Sequence, residues 1–190
     1  MLTEIASLLV QALLGLFVFV VLLRFWMQVL RAPFRNPVGQ FVIALSNWIV
    51  LPVRRVLPGL LGFDVATVLI AWLAEALTLM LLLWLHGGSL GASPGVGAAV
   101  LFGMAFLELV RLSLYLLIGV VLVQVIISWV NPHAPMAGIF DALTRPFYGV
   151  FRRFVPPIGG IDLSPLFVLL LAQVLLIVLA GFTAIAQRPL

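Results

Sequence analysis

Long apolar runs alternate with shorter mixed segments along this chain, and the runs are long enough to decide its solvent. A hydrocarbon core about 30 Å thick needs roughly 20 apolar residues at 1.5 Å of rise each. Four stretches meet that requirement: 5–30, 65–85, 106–130 and 163–186. Residues 96–107 are also apolar, but Pro94 and the glycines around it suggest a loop or a tilted helical extension. The third span is therefore placed from Phe106, which leaves Glu108 and Arg111 at an interface and out of hydrocarbon.

Two segments, 37–57 and 137–155, follow a different pattern. In the second, Phe140, Leu143, Phe147, Val150, Phe151 and Phe154 recur at steps of three and four, with Asp141, Arg145, Arg152 and Arg153 mostly opposite. In the first, Phe41, Leu45, Trp48, Ile49 and Val56 make a similar stripe that ends on Arg54 and Arg55. This is the pattern of a helix lying in a membrane surface; the plainer alternative is a helix packed on the bundle with no lipid role. Pro52 and Pro146 fall inside these segments, so each helix is expected to bend or break there. The predicted fold is thus all-α: four transmembrane helices with one interfacial amphipathic helix between each pair.

The second half repeats the first. A shift of 98 residues lays Arg54-Arg55 on Arg152-Arg153, Pro58 on Pro156, Gly62 on Gly160 and Asp64 on Asp162. The same shift lays Pro37 on Pro135, Ala44-Leu45 on Ala142-Leu143 and Leu77 on Leu175. Each copy contains two spans, so both cross the membrane in the same direction, unlike the inverted repeats common in transporters. The units are 1–86 and 106–190, with 87–105 as the linker.

Composition sharpens the picture. Of 190 residues 65% are hydrophobic and only 8% charged, against about a quarter charged in soluble domains. The absence of cysteine removes disulfides and thiolate chemistry. The net charge of +4 is carried by arginine alone, since the chain has no lysine. These arginines are too few and too embedded in apolar sequence for nucleic acid, and anionic lipid headgroups suit them better. Arg31, Arg35, Arg54, Arg55, Arg145, Arg152 and Arg153 all fall between the first and second or third and fourth spans, while the opposite side holds only Arg188 in its loops and tails. The positive-inside rule then puts both basic segments in the cytoplasm and both termini outside the inner membrane. The leader contains Glu4 and no basic residue, and no small-residue cleavage site interrupts the first run, so that run reads as a retained helix.

The residues 123–132 (VQVIISWVNP), 143–146 (LTRP) and 152–165 (RRFVPPIGGIDLSP) closely resemble the YggT family. The first half matches through Asn36-Pro37, Arg54 to Pro58 and Gly62-Phe63-Asp64, although Val65-Ala66 stand where the second half has Ser164-Pro165. The resemblance covers nearly the whole chain and is similar to the two-copy, proteobacterial form. It implies an association with osmotic tolerance and ion homeostasis. Chloroplast relatives with one unit are associated with haem attachment to a b-type cytochrome, and the resemblance implies no enzymatic reaction.

Candidate chemistry is sparse. Asp64 and Asp162 each precede an apolar span, where a carboxylate accepts the unpaired N–H groups of a first helical turn. Three readings stand side by side: a plain cap, a cap that also latches the neighbouring arginines, or an ion-binding or catalytic acid. Arg54, Arg55, Arg145, Arg152 and Arg153 are candidates for lipid or partner contact, since a guanidinium fork matches a phosphate; the alternative is that they only fix topology. Glu75 lies about 15 Å into the second span by helix rise. An acid at that depth marks either a functional site or a hydrogen-bonded structural residue. Arg24 is its expected partner, with Gln28, Gln124 and Gln173, the repeat mate of Glu75, completing an intramembrane polar cluster. His86 and His133 fall on opposite predicted sides, and no metal, phosphate-loop, dinucleotide or nucleophile pattern appears, so neither enzyme nor cofactor is expected. The sequence therefore predicts a scaffold or assembly factor that contacts lipids, partner membrane proteins or further copies of itself. The alternative is a small ion-transport or osmotic-response component.

Overall fold

Among the described residues six helices account for the architecture: α1 (Leu2–Val29), α2 (Pro37–Val56), α3 (Val65–Leu85), α4 (Pro94–Val130), α5 (Ala137–Arg152) and α6 (Ser164–Ala186). The computed structural model describes residues 1–57, 64–88, 94–131, 134, 136–155 and 162–186. Pro58, Gly62, His133, Pro135, Pro156, Gly160 and Arg188, which the sequence reading used, lie outside the described residues. Among the described residues the chain is all-helical, and α1, α3, α4 and α6 are long and apolar enough to cross a membrane. It is a membrane protein of two repeats, α1–α2–α3 and α4–α5–α6, matched in internal packing. In the first, α1 packs on α3 and α2, and α2 on α3; in the second, α4 packs on α6 and α5, and α5 on α6.

The repeats meet through α4, which lies against α3 and α1, and through α5, which touches α1. Val18, Val21, Ile70, Ala71 and Leu109 form the buried contact of α1, α3 and α4. Val20, Met27, Val42, Leu116, Val120, Ile139 and Leu143 bring α2 and α5 onto α1 and α4. By contrast α6 touches only α4 and α5, where Val121, Tyr148 and Val168 close the second repeat.

Local chemistry explains the helix ends. Asn36 caps α2 by accepting the Gly39 N–H at 2.7 Å, with Pro37 at the first position, where a missing N–H costs nothing. α1 and α3 both end in the six-to-one, five-to-two pattern of a Schellman turn. For α1 the Ala32 N–H reaches Met27 O at 2.8 Å and the Arg31 N–H reaches Gln28 O at 3.2 Å, with Arg31 at φ 53°. For α3 the residue in the left-handed position is Gly87, at φ 69°, where a glycine has no Cβ to clash.

Two expectations change. The third span begins at Pro94, twelve residues before Phe106, as one unbroken helix, which is the helical extension and not the loop. Glycines here do not stop the helix because its first turns are held laterally: Trp72 Nε1 donates to Phe102 O at 2.9 Å, and the two rings lie 5.4 Å apart. Glu108 and Arg111 therefore sit well inside α4, and the adjacent Leu109 packs beside Ile70 and Ala71. Pro52 and Pro146 likewise fail to break their helices. Each is anchored on the bundle by buried residues before it, Ser46 and Val50 in α2, Leu143 and Thr144 in α5, and packing outweighs one lost backbone bond.

Candidate functional site

Each repeat closes on an arginine–aspartate contact that ties the end of its short helix to the start of its second span. Arg54 Nε donates to Asp64 Oδ2 at 3.0 Å, and Arg54 Nη2 reaches the same oxygen. Asp64 Oδ1 accepts the Thr67 N–H at 3.3 Å, and the Thr67 hydroxyl donates to Oδ2. In the second repeat Arg152 Nε and Nη2 donate to Asp162 Oδ2 at 2.9 and 2.6 Å, while Asp162 Oδ1 accepts the Ser164 N–H at 2.9 Å. Arg152 also lies 5.6 Å from the centre of the Tyr148 ring, a cation–π contact. Both aspartates thus cap a helix and hold an arginine at once.

The electrostatics match this geometry. Burial opposes ionisation of Asp64, but the bonds from Arg54 and Thr67 outweigh it and hold the carboxyl below its ordinary value. Burial also opposes ionisation of Asp162, and the contacts with Ser164 and Arg152 again bring the carboxyl below the usual range. Burial pushes the phenol of Tyr148, a residue of α5 packed against α4 and α6, up to about 12.

Because Arg54 and Arg152 are engaged, their neighbours are the free partners of each pair. Arg55 and Arg153 are exposed and make no hydrogen bond or ion pair among the described residues. Arg145 is exposed too, with only a loose 3.6 Å contact to Asp141 one turn away. Most of the apolar stripe read along α2 faces away from the protein: Phe41, Leu45, Trp48 and Val56 are exposed, whereas Ile49 packs on the core and the buried residues are Gly39, Val42, Ser46 and Val50. In α5 the corresponding stripe divides, with Leu143 buried and Val150 and Phe154 exposed. Between α1, α4 and α5 an apolar cleft of about 180 Å³ is lined by residues including Trp26, Leu30, Leu117, Leu143 and Phe147.

The predicted intramembrane cluster is not assembled. Arg24 is buried and turns to α2, where its Nη1 donates to Ser46 Oγ at 2.6 Å and Asn47 Oδ1 at 2.8 Å. Arg24 is therefore not the ion-pair partner of Glu75, because the C-terminal half of α1 packs against α2, which offers it neutral ligands first. Glu75 stands at the midpoint of α3, 5% exposed, with no hydrogen bond or ion pair among the described residues. Its charged neighbour is Glu108 on α4, itself paired with Arg111 at 3.2 Å. Gln28 and Gln124 bury carbonyl oxygens that find no partner among the described residues. Gln173 is exposed on α6. Glu75 and Gln173 hold equivalent places in the two repeats, but α3 is covered by the α4 of the next repeat and α6 has no such neighbour among the described residues.

Sequence reasoning missed Ser46 and Asn47 as ligands of Arg24 and Glu108 as the neighbour of Glu75. The signal for the former was available, as two adjacent polar residues within an apolar helix. His86 contacts only the Leu82 carbonyl, 2.7 Å away, and no cluster of three metal-ligating side chains occurs among the described residues.

Comparison with known proteins gives the same duplication. A model of the CCB3/YggT family matches residues 3–85 and again 103–183. A protein of Vibrio alginolyticus encoded in a proC 3' region is 36% identical over 161 residues, 84% of this chain and 85% of its own length. YggT of Escherichia coli is 30% identical over 177 residues, covering 88% of this chain and 85% of its own. A chloroplastic YlmG homologue of Arabidopsis thaliana is 36% identical over 70 residues, 36% of this chain and 25% of that protein. No solved structure matches the chain.

Proposed function

The chain belongs to the CCB3/YggT family, and we propose that it is a non-enzymatic scaffold or assembly factor of the bacterial inner membrane that grips anionic lipid headgroups or partner membrane proteins through α2 and α5, in support of osmotic tolerance. The observation that carries this reading is the division of labour in each arginine pair. Arg54 and Arg152 are spent on Asp64 and Asp162, and Arg55 and Arg153 stand exposed beside them at equivalent places in the two repeats. A free guanidinium at the end of a helix that also presents Trp48, Val56 or Phe154 outward is suited to a phosphate at the headgroup level, with the apolar groups below it. The apolar cleft beside Trp26 and Leu143 is of a kind to take part of an acyl chain. In this reading both basic segments face the cytoplasm and both termini the periplasm, which the arginine asymmetry supports. The test is lipid retention: protein purified in mild detergent is equilibrated with phosphatidylglycerol and phosphatidylethanolamine, and bound lipid is counted by mass. Arg55→Ala with Arg153→Ala is expected to lower retained phosphatidylglycerol several-fold and leave phosphatidylethanolamine unchanged. Equal retention of phosphatidylglycerol by the variant would remove this reading.

A second reading rests on Glu75, a buried acid without a hydrogen-bond partner among the described residues and with a second acid, Glu108, for a neighbour. Such a site is suited to a proton or a cation, and the protein would then be a small transport or osmotic-response component.

A further inference from the structure

The joint between the two repeats is made once inside the chain, and its two halves are left over at the ends. On one side of that joint stand α3 and α1, and on the other α4 and α5. The 98-residue shift maps α3 onto α6, α1 onto α4 and α2 onto α5. A closed two-fold arrangement would pair α6 with α1 as α3 is paired with α4, but α6 does not touch α1. The joint is therefore heterologous, and such a joint leaves one unused face of each kind. The unused faces are α6 with the adjoining side of α4, and α1 with α2.

Five pairs of equivalent positions, on three pairs of helices, change from buried to exposed between the used and unused faces. On α3, Glu75 and Ala76 are 5% and 4% exposed, and their mates Gln173 and Val174 on α6 are exposed, Val174 at 54%. On α4, Leu109 is 6% exposed, and its mate Gln11 on α1 is exposed. On α5, Ile139 and Leu143 are 2% and 3% exposed, and their mates Phe41 and Leu45 on α2 are 53% and 39% exposed. The apolar members would be content in lipid, but the two glutamines would not. Gln11 and Gln173 each lie about 13 Å along a membrane span at 1.5 Å per residue. Neither has a hydrogen-bond partner among the described residues, and an unpaired amide in hydrocarbon is costly. Inside the chain the corresponding stretches of α3 and α4 lie against each other, with Glu75 in the field of Glu108 and Leu109 against Ala71. The same joint made between copies brings Gln173 of one to the neighbourhood of Gln11 of the next, and each amide can donate to and accept from the other.

We propose that this protein assembles with a second copy of itself by repeating its internal joint, α1 and α2 of one copy seating on α6 and α4 of the other. The proposal does not rest on the lipid reading above, since Arg55 and Arg153 take no part in it. The chain has no cysteine, so introduced thiols report cleanly. Gln11→Cys and Gln173→Cys are made on separately tagged copies, expressed together, and treated in the membrane with a short bis-maleimide. The expected product is a dimer that contains both tags, with neither variant cross-linking when expressed alone. Dimers from Gln173→Cys alone would indicate a symmetric face and overturn the proposal, as would monomers only. A second measurement avoids the cross-linker: Gln173→Leu, on an exposed site that leaves the fold intact, is expected to weaken self-association in mild detergent about tenfold. Unchanged association of that variant, or a wild type that stays monomeric, would overturn the proposal.

Discussion

At the scale of single residues, Asp64 and Asp162 combine two roles that are usually separate. Each satisfies a backbone N–H at the start of a span and an arginine from the helix before it. Asp162→Ala should therefore lower the melting temperature in detergent, by a cap's worth of about 0.5–2 kcal/mol. Asp141→Ala, which removes only an exposed 3.6 Å pair with Arg145, should change it little. The pH dependence has a definite sign. Both carboxyls are held below the ordinary aspartate value of 3.8, so their contribution is complete above that value and is lost as pH falls below it. Melting curves taken downward from pH 7 should show the loss in wild type and a smaller loss in Asp162→Ala. These contacts were legible because the same Arg–Asp spacing occurs twice in the sequence. The ligands of Arg24 were only half legible: Ser46 and Asn47 stand out as adjacent polar residues in α2, but nothing in α1 says that its guanidinium will meet them.

At the scale of elements, the turn between α1 and α2 is the tightest backbone approach among the described glycines that the sequence reading passed over. A Cβ at Gly39 would lie 2.5 Å from Phe34 O and 2.7 Å from Phe34 Cα, which are backbone atoms that cannot swing aside. Gly39→Ala is expected to destabilise the protein by about 1–3 kcal/mol, read as a lower melting temperature, whereas Ala at Gly149, which meets nothing within 4 Å, should be tolerated. The four spans could be read from apolar length alone, because hydrophobic thickness sets a length that sequence displays directly. The start of α4 could not. Its helical state depends on lateral contacts from Trp72 and its neighbours on α3, and the local sequence of Pro94 and nearby glycines reads as an ending.

For the molecule as a whole, Glu75 decides between the two functional readings. If its carboxylate carries a proton or attracts a cation, Glu75→Gln should abolish rescue of osmotic tolerance in a deletion strain at matched membrane levels. If Glu75 only fills its place in the bundle, the glutamine variant should rescue fully, and that is the expected result. The mate at the same depth, Gln173, is already an amide. The burial that distinguishes these two positions follows from how the repeats are joined, which the repeat pattern in the sequence does not reveal.

The length of α4 has a mechanical consequence. Its 37 residues measure about 55 Å at 1.5 Å each, nearly twice a hydrocarbon thickness of about 30 Å. Even at a tilt of about 40°, the upper end of what spans adopt, such a rod occupies about 39 Å of its length within the film and leaves roughly three turns beyond it. α4 thus carries helical turns that hydrocarbon cannot cover, and its contacts with α3 and α1 set how it is inclined. The second span of the first repeat, α3, has 21 residues and no such overhang, so the joint between the repeats sets a helix that fits the film against one that overreaches it.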